Sequence, residues 1–164
     1  MSKYLQTMIS PQGEMVITAS DRGITSIAFA DQIKEEILST AYANEPSDLT
    51  QAACEQLTAY FSKQLTHFSL PLDAKGTHFQ QAVWAALALI DYGDTKSYQD
   101  IANAIGNPKA VRAVGLANGK NPIAIVVPCH RVIGKNNRLT GYAGGVDKKQ
   151  YLLKLEGAQG VLWD

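Results

Sequence analysis

The chain has 164 residues, of which 46% are hydrophobic and 18% are charged, so it can bury a sizeable core and disorder is excluded. It has no run of 18 apolar residues, and its N-terminus lacks the layout of a signal peptide, which predicts a soluble cytoplasmic protein. Its two cysteines, Cys54 and Cys129, lie far apart and outside metal-ligand spacing, so neither a disulfide framework nor a zinc site is predicted.

The formal net charge of zero hides two halves of opposite sign. Residues 1–75 contain 5 Lys or Arg and 9 Asp or Glu, whereas residues 76–164 contain 10 and 6. Between Asn107 and Lys149 the single acid is Asp147, against eight basic residues: Lys109, Arg112, Lys120, Arg131, Lys135, Arg138, Lys148 and Lys149. This excess of positive charge is typical of a surface that binds a polyanion, although an ordinary solvated surface is the alternative.

Three short runs of β-type residues open the chain and predict a meander of antiparallel strands. The runs alternate with turn sequences and lie at 4–9, 15–18 and 24–30. From Ser47, which can cap a helix, apolar residues recur at helical spacing as far as Leu65, so one amphipathic helix should cover this sheet. The segment 71–76 has the composition of a linker, which predicts domains at 1–75 and 76–164.

Four helices are predicted in the second half, and the first three follow one another closely. Thr77 opens the first, which runs to Ile90 behind a capping box. Ser97 caps a shorter second helix. Asn107 caps the third, with Pro108 at its first position. Because only a short turn separates the second helix from the third, the pair is predicted to form a helix-turn-helix.

An apolar run, a glycine-rich loop and a last helix complete the prediction. The run 123–127 is predicted to be a strand that leads to Cys129. The glycine-rich loop lies at 140–145. The last helix is predicted from Asp147 to Glu156, where Gly157 ends it.

The predicted third helix carries small residues where an ordinary recognition helix carries long polar ones. Positions 110–117 are mostly Ala, Val and Gly. Small residues let a helix approach the minor groove closely, where shape matters more than sequence. The solitary Arg112 is long enough to enter the base stack in the gap left by an extruded nucleotide. The alternative is tight helix packing, with Arg112 paired to an acid.

The sequence Pro128-Cys129-His130-Arg131 sets a thiol beside an imidazole and a guanidinium. A thiolate is the nucleophilic form of cysteine, and neighbouring positive charge favours it. A nucleophilic Cys129 is therefore one interpretation. An inert, buried cysteine at the end of an apolar segment is the other.

Several motifs together closely resemble the O6-alkylguanine-DNA alkyltransferase family, whose members are methylated-DNA–protein-cysteine methyltransferases. They match in order and spacing from about Thr77 to Gly157, and they are Ser97-Tyr98, Asn107-Pro108, Arg112-Ala113-Val114-Gly115, Asn121-Pro122, Pro128-Cys129-His130-Arg131-Val132, Gly141-Tyr142-Ala143-Gly144-Gly145 and Leu155-Glu156-Gly157. The resemblance implies an α/β fold. A small N-terminal antiparallel sheet with a helix, ribonuclease H-like, should precede a mostly helical winged helix-turn-helix domain.

The resemblance also implies a role for five side chains. Cys129 is the nucleophile and the final acceptor of the alkyl group from guanine O6. His130 is the base that acts through a water, and Glu156 holds its imidazole in the useful tautomer. Tyr98 gives a proton or hydrogen bond to the departing base. Asn121 fixes the turn that links the DNA-reading helix to the cysteine.

The remaining implied contacts concern the base pocket and the DNA. The carbonyls of Cys129 and Val132 accept from the exocyclic amine of guanine, and Tyr142 forms a wall of the pocket. The amide of Ala143 contacts O6, and Gly144 completes this pocket. The implied DNA contacts come from Arg112, which fills the gap left by the flipped base, and from Tyr98, Ala113 and Gly115.

The implied activity is direct DNA repair that consumes the protein, because the thioether product has no ready path of cleavage. Duplex DNA with O6-alkylguanine is the expected partner, and O4-alkylthymine is a second expected substrate. A monomer without cofactor, metal, membrane contact or obligate protein partner is expected. The main alternative is a binding-only relative in which the cysteine is replaced. A winged-helix transcription factor and a cysteine hydrolase are two further alternatives.

Overall fold

The computed structural model describes residues 3–33, 45–142 and 145–161, and the chain divides into the units Met1–Lys75 and Gly76–Asp164. In the first unit three antiparallel strands form a sheet in chain order: β1 (Tyr4–Ser10), β2 (Gly13–Ala19) and β3 (Ile24–Phe29). Gly13 adopts φ +113 where the first hairpin closes, a conformation that favours glycine. The predicted meander is confirmed. None of the described helices is long and apolar enough to cross a membrane.

One helix, α1 (Asp48–Phe61), packs against this sheet. Ser47 caps it as predicted, because its hydroxyl accepts from the amide of Thr50 while the Thr50 hydroxyl accepts from the amide of Ser47. The buried face of α1 includes Ala53, Leu57 and Tyr60, none of them measurably exposed. This helical spacing of apolar residues is what holds α1 on the sheet.

The first residues of the predicted linker 71–76 pair with the start of β3, where Leu72 and Ile24 form an isolated parallel bridge. Ile24 donates its amide to the carbonyl of Pro71 at 2.8 Å and accepts from the amide of Asp73 at 2.7 Å. The Ser20 hydroxyl donates to the Asp73 carboxylate at 2.6 Å. A Cβ at Gly23 would lie 2.8 Å from the Pro71 carbonyl oxygen, so glycine permits this close approach.

Four helices and a short two-stranded parallel sheet form the second unit in its described part. They are α2 (His78–Leu87), β4 (Lys96–Ser97), α3 (Tyr98–Ala104), α4 (Val111–Gly119), β5 (Val132–Ile133) and α5 (Val146–Leu155), and β4 pairs with β5. Capping boxes begin two of these helices, Thr77 with Gln80 at α2 and Ser97 with Asp100 at α3. The predicted end of α2 at Ile90 is wrong, since the helix ends at Leu87.

The predicted start of α4 is also wrong. Asn107 and Pro108 belong to a turn, in which the amide of Ala110 donates to the Asn107 carbonyl at 3.0 Å. The Pro108 carbonyl accepts from the side chain of Gln99 at 2.9 Å. The first bond of the helix runs from the amide of Val114 to the carbonyl of Ala110 at 2.8 Å, so α4 begins later than predicted, at Val111.

The predicted strand 123–127 is a turn. The amide of Val127 donates to the carbonyl of Ile123 at 3.0 Å, and Ile125 adopts φ +72 while only 1% exposed. This conformation is strained for a β-branched residue, so the surrounding contacts must hold it. Two such contacts come from the side chain of Asn121, which accepts from the Ile123 amide at 3.0 Å and donates to the Val127 carbonyl at 2.8 Å.

Candidate active site

Cys129 begins a single turn of 3-10 helix that runs to Arg131, directly after Pro128. Its side chain is buried, with the residue 6% exposed. The amide of Cys129 donates to the Val127 carbonyl at 2.8 Å, the same carbonyl that receives the Asn121 side chain. Asn121 therefore joins the turn to the cysteine, which is the position that the resemblance implies for it.

Burial favours the neutral thiol form of Cys129. Burial raises the pKa of Cys129, and this outweighs the opposing effects of a hydrogen bond from the Asn121 side chain and of the positive charge on Lys149. The positive charge that favours the thiolate form of Cys129 is that of Lys149, and burial opposes it. A base must remove the proton before the sulfur can attack.

His130 and Glu156 form a fully buried pair beside the cysteine. His130 Nε2 lies 2.7 Å from Glu156 Oε2, and neither side chain is exposed. Burial lowers the pKa of His130 despite the nearby carboxylate, and the charges of Arg131 and Lys149 lower it further. A neutral imidazole that donates through Nε2 keeps Nδ1 as an acceptor, and Nδ1 has no hydrogen-bond partner in the part of the chain that the structure describes.

Arg131 is a structural partner of Glu156. Its Nε and Nη2 atoms donate to the two oxygens of Glu156 at 2.8 and 3.0 Å, and Nη1 donates to the Ile90 carbonyl at 2.6 Å. Burial alone would raise the pKa of Glu156, but hydrogen bonds and charge from His130 and Arg131 lower it to about 2. The prediction that Arg131 belongs to an exposed basic surface is wrong, since the residue is 6% exposed.

Lys149 belongs to the site, and the prediction that it is part of an exposed basic surface is wrong. It is not measurably exposed, because α5 points it into the interior on the same helical face as Leu152, Leu153 and Glu156. Its Nζ donates to the Val132 carbonyl at 2.6 Å and to the Thr140 hydroxyl at 3.3 Å. Burial lowers the pKa of Lys149 to about 8, although Cys129 acts in the opposite direction. The apolar period of α5 was the signal that could have found it.

The two predicted tyrosines lie at different places in the site. Tyr98 begins α3, and its hydroxyl lies 2.7 Å from the Thr140 hydroxyl. The Tyr142 hydroxyl is buried without a hydrogen-bond partner among the described residues. Burial raises the pKa of Tyr142 well above its usual range, with smaller contributions from Cys129 and Glu156. The predicted pocket residues Ala143 and Gly144 lie outside the described residues.

Three of the predicted DNA-contact residues, Arg112, Ala113 and Gly115, lie on helix α4, whereas the fourth, Tyr98, begins α3. Arg112 and Ala113 are exposed, and Arg112 forms no ion pair within the described ranges. A Cβ at Gly115 would lie 3.9 Å from the ring of Tyr98, so α4 and Tyr98 are neighbours. Trp84 of α2 donates its indole N–H to a carbonyl of α4, that of Ala117, at 2.9 Å, which fixes the helix on its buried side.

A metal site is not found among residues 3–33, 45–142 and 145–161: no group of three or more His, Cys, Asp or Glu side chains lies close enough to hold an ion. Cys54 is buried in α1, and burial raises its pKa. The structure therefore distinguishes its two cysteines by their neighbours, because only Cys129 lies in the unit that contains His130, Glu156 and Lys149.

Comparison with known proteins agrees with this geometry. Residues 3–74 match the family model of the 6-O-methylguanine DNA methyltransferase, ribonuclease-like domain, and residues 78–158 match that of the DNA binding domain. A methylated-DNA–protein-cysteine methyltransferase of Mycolicibacterium paratuberculosis is 51% identical over 92% of this chain and 90% of its own length. The Methanosarcina acetivorans protein of the same name is 48% identical over 94% and 99%.

The solved structures agree with the sequence comparisons. The crystal structure of Mycobacterium tuberculosis OGT in complex with DNA has a TM-score of 0.86 and 47% identity, and the match covers 94% of this chain and 92% of that one. The family resemblance and the fold class predicted from the sequence are confirmed. The chain belongs to the 6-O-methylguanine DNA methyltransferase family.

Proposed function

We propose that this chain repairs DNA as a methylated-DNA–protein-cysteine methyltransferase, which transfers the alkyl group of O6-alkylguanine once and irreversibly to its own Cys129. The observation that carries this function is the buried cluster of Cys129, His130 and Glu156, with Asn121 beside the thiol, in a chain about half identical to relatives of that name. No cofactor is needed, since the alkyl group comes from the DNA and the acceptor is the protein.

The first step is removal of the Cys129 proton. The neutral His130 presents Nδ1 as an acceptor, because Nε2 is bonded to Glu156. The S–H bond breaks and its proton passes through a water to Nδ1. The imidazolium that forms is stabilised by the carboxylate of Glu156, whose low pKa keeps it ionised.

The second step is attack on the alkyl carbon. A sulfur–carbon bond forms as the carbon–O6 bond breaks, and the electron pair goes to guanine. Tyr98 gives its hydroxyl proton to the departing base, and the amide of Ala143 stabilises the oxygen. The carbonyls of Cys129 and Val132 accept from the guanine amine, while Tyr142 and Gly144 line the pocket. The thioether that remains is stable, so each chain acts once.

DNA binding is assigned to α4 and the charge around it. We place α4 in the minor groove, where Ala113 and Gly115 permit close approach and Arg112 fills the gap of the flipped base. Six of the eight basic residues remain exposed or half-buried and can contact phosphates: Lys109, Arg112, Lys120, Lys135, Arg138 and Lys148. Flipping costs on the order of a few kcal/mol and costs less for a poorly pairing lesion.

The domain assignment follows the same division of roles. Residues 1–75 form an N-terminal α/β domain, and residues 76–164 carry the DNA-binding and alkyl-acceptor functions. The proposed partner is duplex DNA, the proposed location is the cytoplasm, and the proposed state is a monomer without metal. O4-alkylthymine is the second proposed substrate. Binding-only recognition is not favoured, because it requires the cysteine to be replaced and Cys129 is present.

The test is intact mass spectrometry after incubation with a duplex that contains O6-methylguanine, followed by peptide mapping. The expected result is one added methyl group on Cys129, saturating at one per chain. Cys129→Ser is the matched control, which should bind the DNA and gain no methyl group. Tight lesion binding with no mass change in the unaltered chain would replace this function by binding-only recognition. A methyl group on Cys54 would move the acceptor role to that residue.

A further inference from the structure

Hydrogen bonds connect the buried Lys149 of α5, through Thr140, to Tyr98, which is the proposed acid of the reaction. Lys149 Nζ lies 2.6 Å from the Val132 carbonyl oxygen and 3.3 Å from the Thr140 hydroxyl. The Thr140 hydroxyl lies 2.7 Å from the hydroxyl of Tyr98. Thr140 lies in the glycine-rich loop and Lys149 within a run of basic residues, so the connection between them is visible only in the structure.

The buried position of Lys149 requires an explanation. The residue is not measurably exposed, and no carboxylate pairs with it in the part of the chain that the structure describes. Burial of an ammonium without a carboxylate partner is costly. Such a group is a candidate for function when it lies beside reacting atoms, and Lys149 lies close enough to Cys129 to influence its ionisation.

The donors and acceptors of Lys149, Thr140 and Tyr98 determine which group donates each hydrogen bond. An ammonium has three donors and no acceptor, so the Thr140 oxygen accepts from Lys149. The Thr140 hydroxyl keeps its own hydrogen, which it can donate to the oxygen of Tyr98. The hydrogen of Tyr98 is then free to point away from Thr140. This arrangement leaves Tyr98 as a donor to a third group.

We propose that Lys149 and Thr140 are positioning residues that orient the Tyr98 hydroxyl toward the alkylated base and stabilise the negative charge it acquires. This inference rests on the proposed function, in which Tyr98 protonates the departing guanine. As the carbon–O6 bond breaks, its electron pair goes to guanine and the proton of Tyr98 follows. The phenolate recovers a proton from the Thr140 hydroxyl, which takes one from the Lys149 ammonium, so Lys149 ends neutral.

The local backbone supports this role. Tyr98 directly follows β4, which pairs with β5 through Ser97 and Ile133. The carbonyl that Lys149 binds belongs to Val132 of β5, so the lysine and the tyrosine are held by the same small sheet. The methyl group of Thr140 lies against Gly134, where an added Cβ would come within 2.6 Å of it. Thr140 is thus fixed on one side by packing and on the other by its hydroxyl.

Thr140→Val is the decisive variant, because it keeps both branches of the side chain and removes the oxygen. The single-turnover rate of methyl transfer from O6-methylguanine, measured at saturating duplex, should fall roughly tenfold or more. Thr140→Ser keeps the hydroxyl and loses the methyl group, so it should recover most of the rate. Loss of rate in Thr140→Ser equal to that in Thr140→Val would assign the effect to packing and overturn the proposal.

A second electrophile separates positioning of Tyr98 from a structural effect on Cys129. Methyl iodide gives the same thioether, but iodide leaves without a proton. The rate of Cys129 methylation by methyl iodide, followed by peptide mapping, should therefore be the same in Thr140→Val as in the unaltered chain. Equal losses with methyl iodide and with DNA would show that Thr140 merely supports the cysteine.

A double variant, Thr140→Val combined with Tyr98→Phe, completes the test. If Thr140 acts through Tyr98, the double variant should transfer methyl groups no more slowly than Tyr98→Phe alone. A further fall in the double variant would contradict the proposal. The proposed function fails separately, since it predicts that the unaltered chain accepts one methyl group. Transfer at equal rates by the unaltered chain and Thr140→Val would leave the function intact and remove this inference alone.

Discussion

His130 Nε2 and Glu156 Oε2 are 2.7 Å apart, and neither side chain reaches solvent. The same carboxylate receives two hydrogen bonds from Arg131. Glu156 therefore serves two purposes at once: it orients the proposed base, and it compensates a buried guanidinium. The two purposes can be separated because they have different readouts, the rate of transfer and the free energy of unfolding.

A double-mutant cycle on Arg131 and Glu156 should measure the second purpose. Glu156→Gln leaves the guanidinium uncompensated and should lower the free energy of unfolding by about 3–5 kcal/mol. Arg131→Met should have a similar effect, because it leaves the carboxylate with one partner fewer. Each single change leaves a buried charge without its partner. The double variant should therefore lose clearly less unfolding free energy than the sum of the two single losses. Urea unfolding of the four proteins measures this, and strict additivity would contradict the proposed coupling.

Acid should destabilise the fold through the same carboxylate. The pKa of Glu156 is about 2 in the folded chain against an ordinary 4.5, so the folded state stabilises the ionised form. Its contribution, about 3 kcal/mol, is fully present above pH 4.5 and is lost as the pH falls toward 2. The lowered pKa of His130 acts in the same direction, because only the unfolded chain gains that proton readily.

The measurement for this prediction is the free energy of urea unfolding as a function of pH. The unaltered chain should lose stability most steeply between about pH 4.5 and pH 2. Glu156→Gln is the matched control, since it cannot titrate, and its stability should depend less on pH in that window. Parallel curves for the two proteins would mean that other carboxylates cause the acid sensitivity.

Much of the fold could be predicted from residues that act locally. Ser47, Thr77 and Ser97 cap their helices as predicted, because a capping box depends on residues only three positions apart. Asn107 looked like a cap by the same reasoning, but it lies in a turn, and the Pro108 carbonyl of that turn accepts from Gln99 of the preceding helix. Tertiary contacts of this kind are not visible in a short stretch of sequence.

The site was predictable in its chemistry and less so in its electrostatics. The residues Cys129, His130, Glu156 and Asn121 do come together. Adjacency in sequence placed His130 and Arg131 beside the thiol, where positive charge favours the thiolate. In the structure both side chains bind Glu156 instead. The cation that acts on the cysteine is Lys149, twenty residues later, and only the helical face of α5 relates it to the site.

Replacement of Arg112 should separate base flipping from chemistry. Arg112→Ala should slow transfer from duplex DNA by roughly tenfold or more, since the gap left by the flipped base is no longer filled. Transfer from the free base O6-methylguanine should change little, because no flipping is needed. Single-turnover rates with the two substrates measure this, and Arg112→Lys controls for charge. Equal losses with both substrates would refute the role in flipping.

A bulky side chain at Ala113 should weaken DNA binding without unfolding α4. The position is exposed, and Leu is nearly as good a helix former as Ala. Ala113→Leu should therefore change the free energy of unfolding by less than about 0.5 kcal/mol, while the dissociation constant for duplex DNA rises at least several-fold. Titration of labelled duplex at fixed salt measures the affinity. Unchanged affinity would contradict the close approach of α4 to the groove.

The hydrogen bond from Trp84 to Ala117 gives the protein a built-in optical reporter. The indole is 5% exposed, and its N–H donates to a carbonyl two residues from Gly115. The chain has two tryptophans, and the second is Trp163. In a Trp163→Phe protein, Trp84 would be the single tryptophan. Its emission wavelength and fluorescence lifetime would then report on α4, the helix proposed to bind DNA. Engagement of the groove could then be timed without any label.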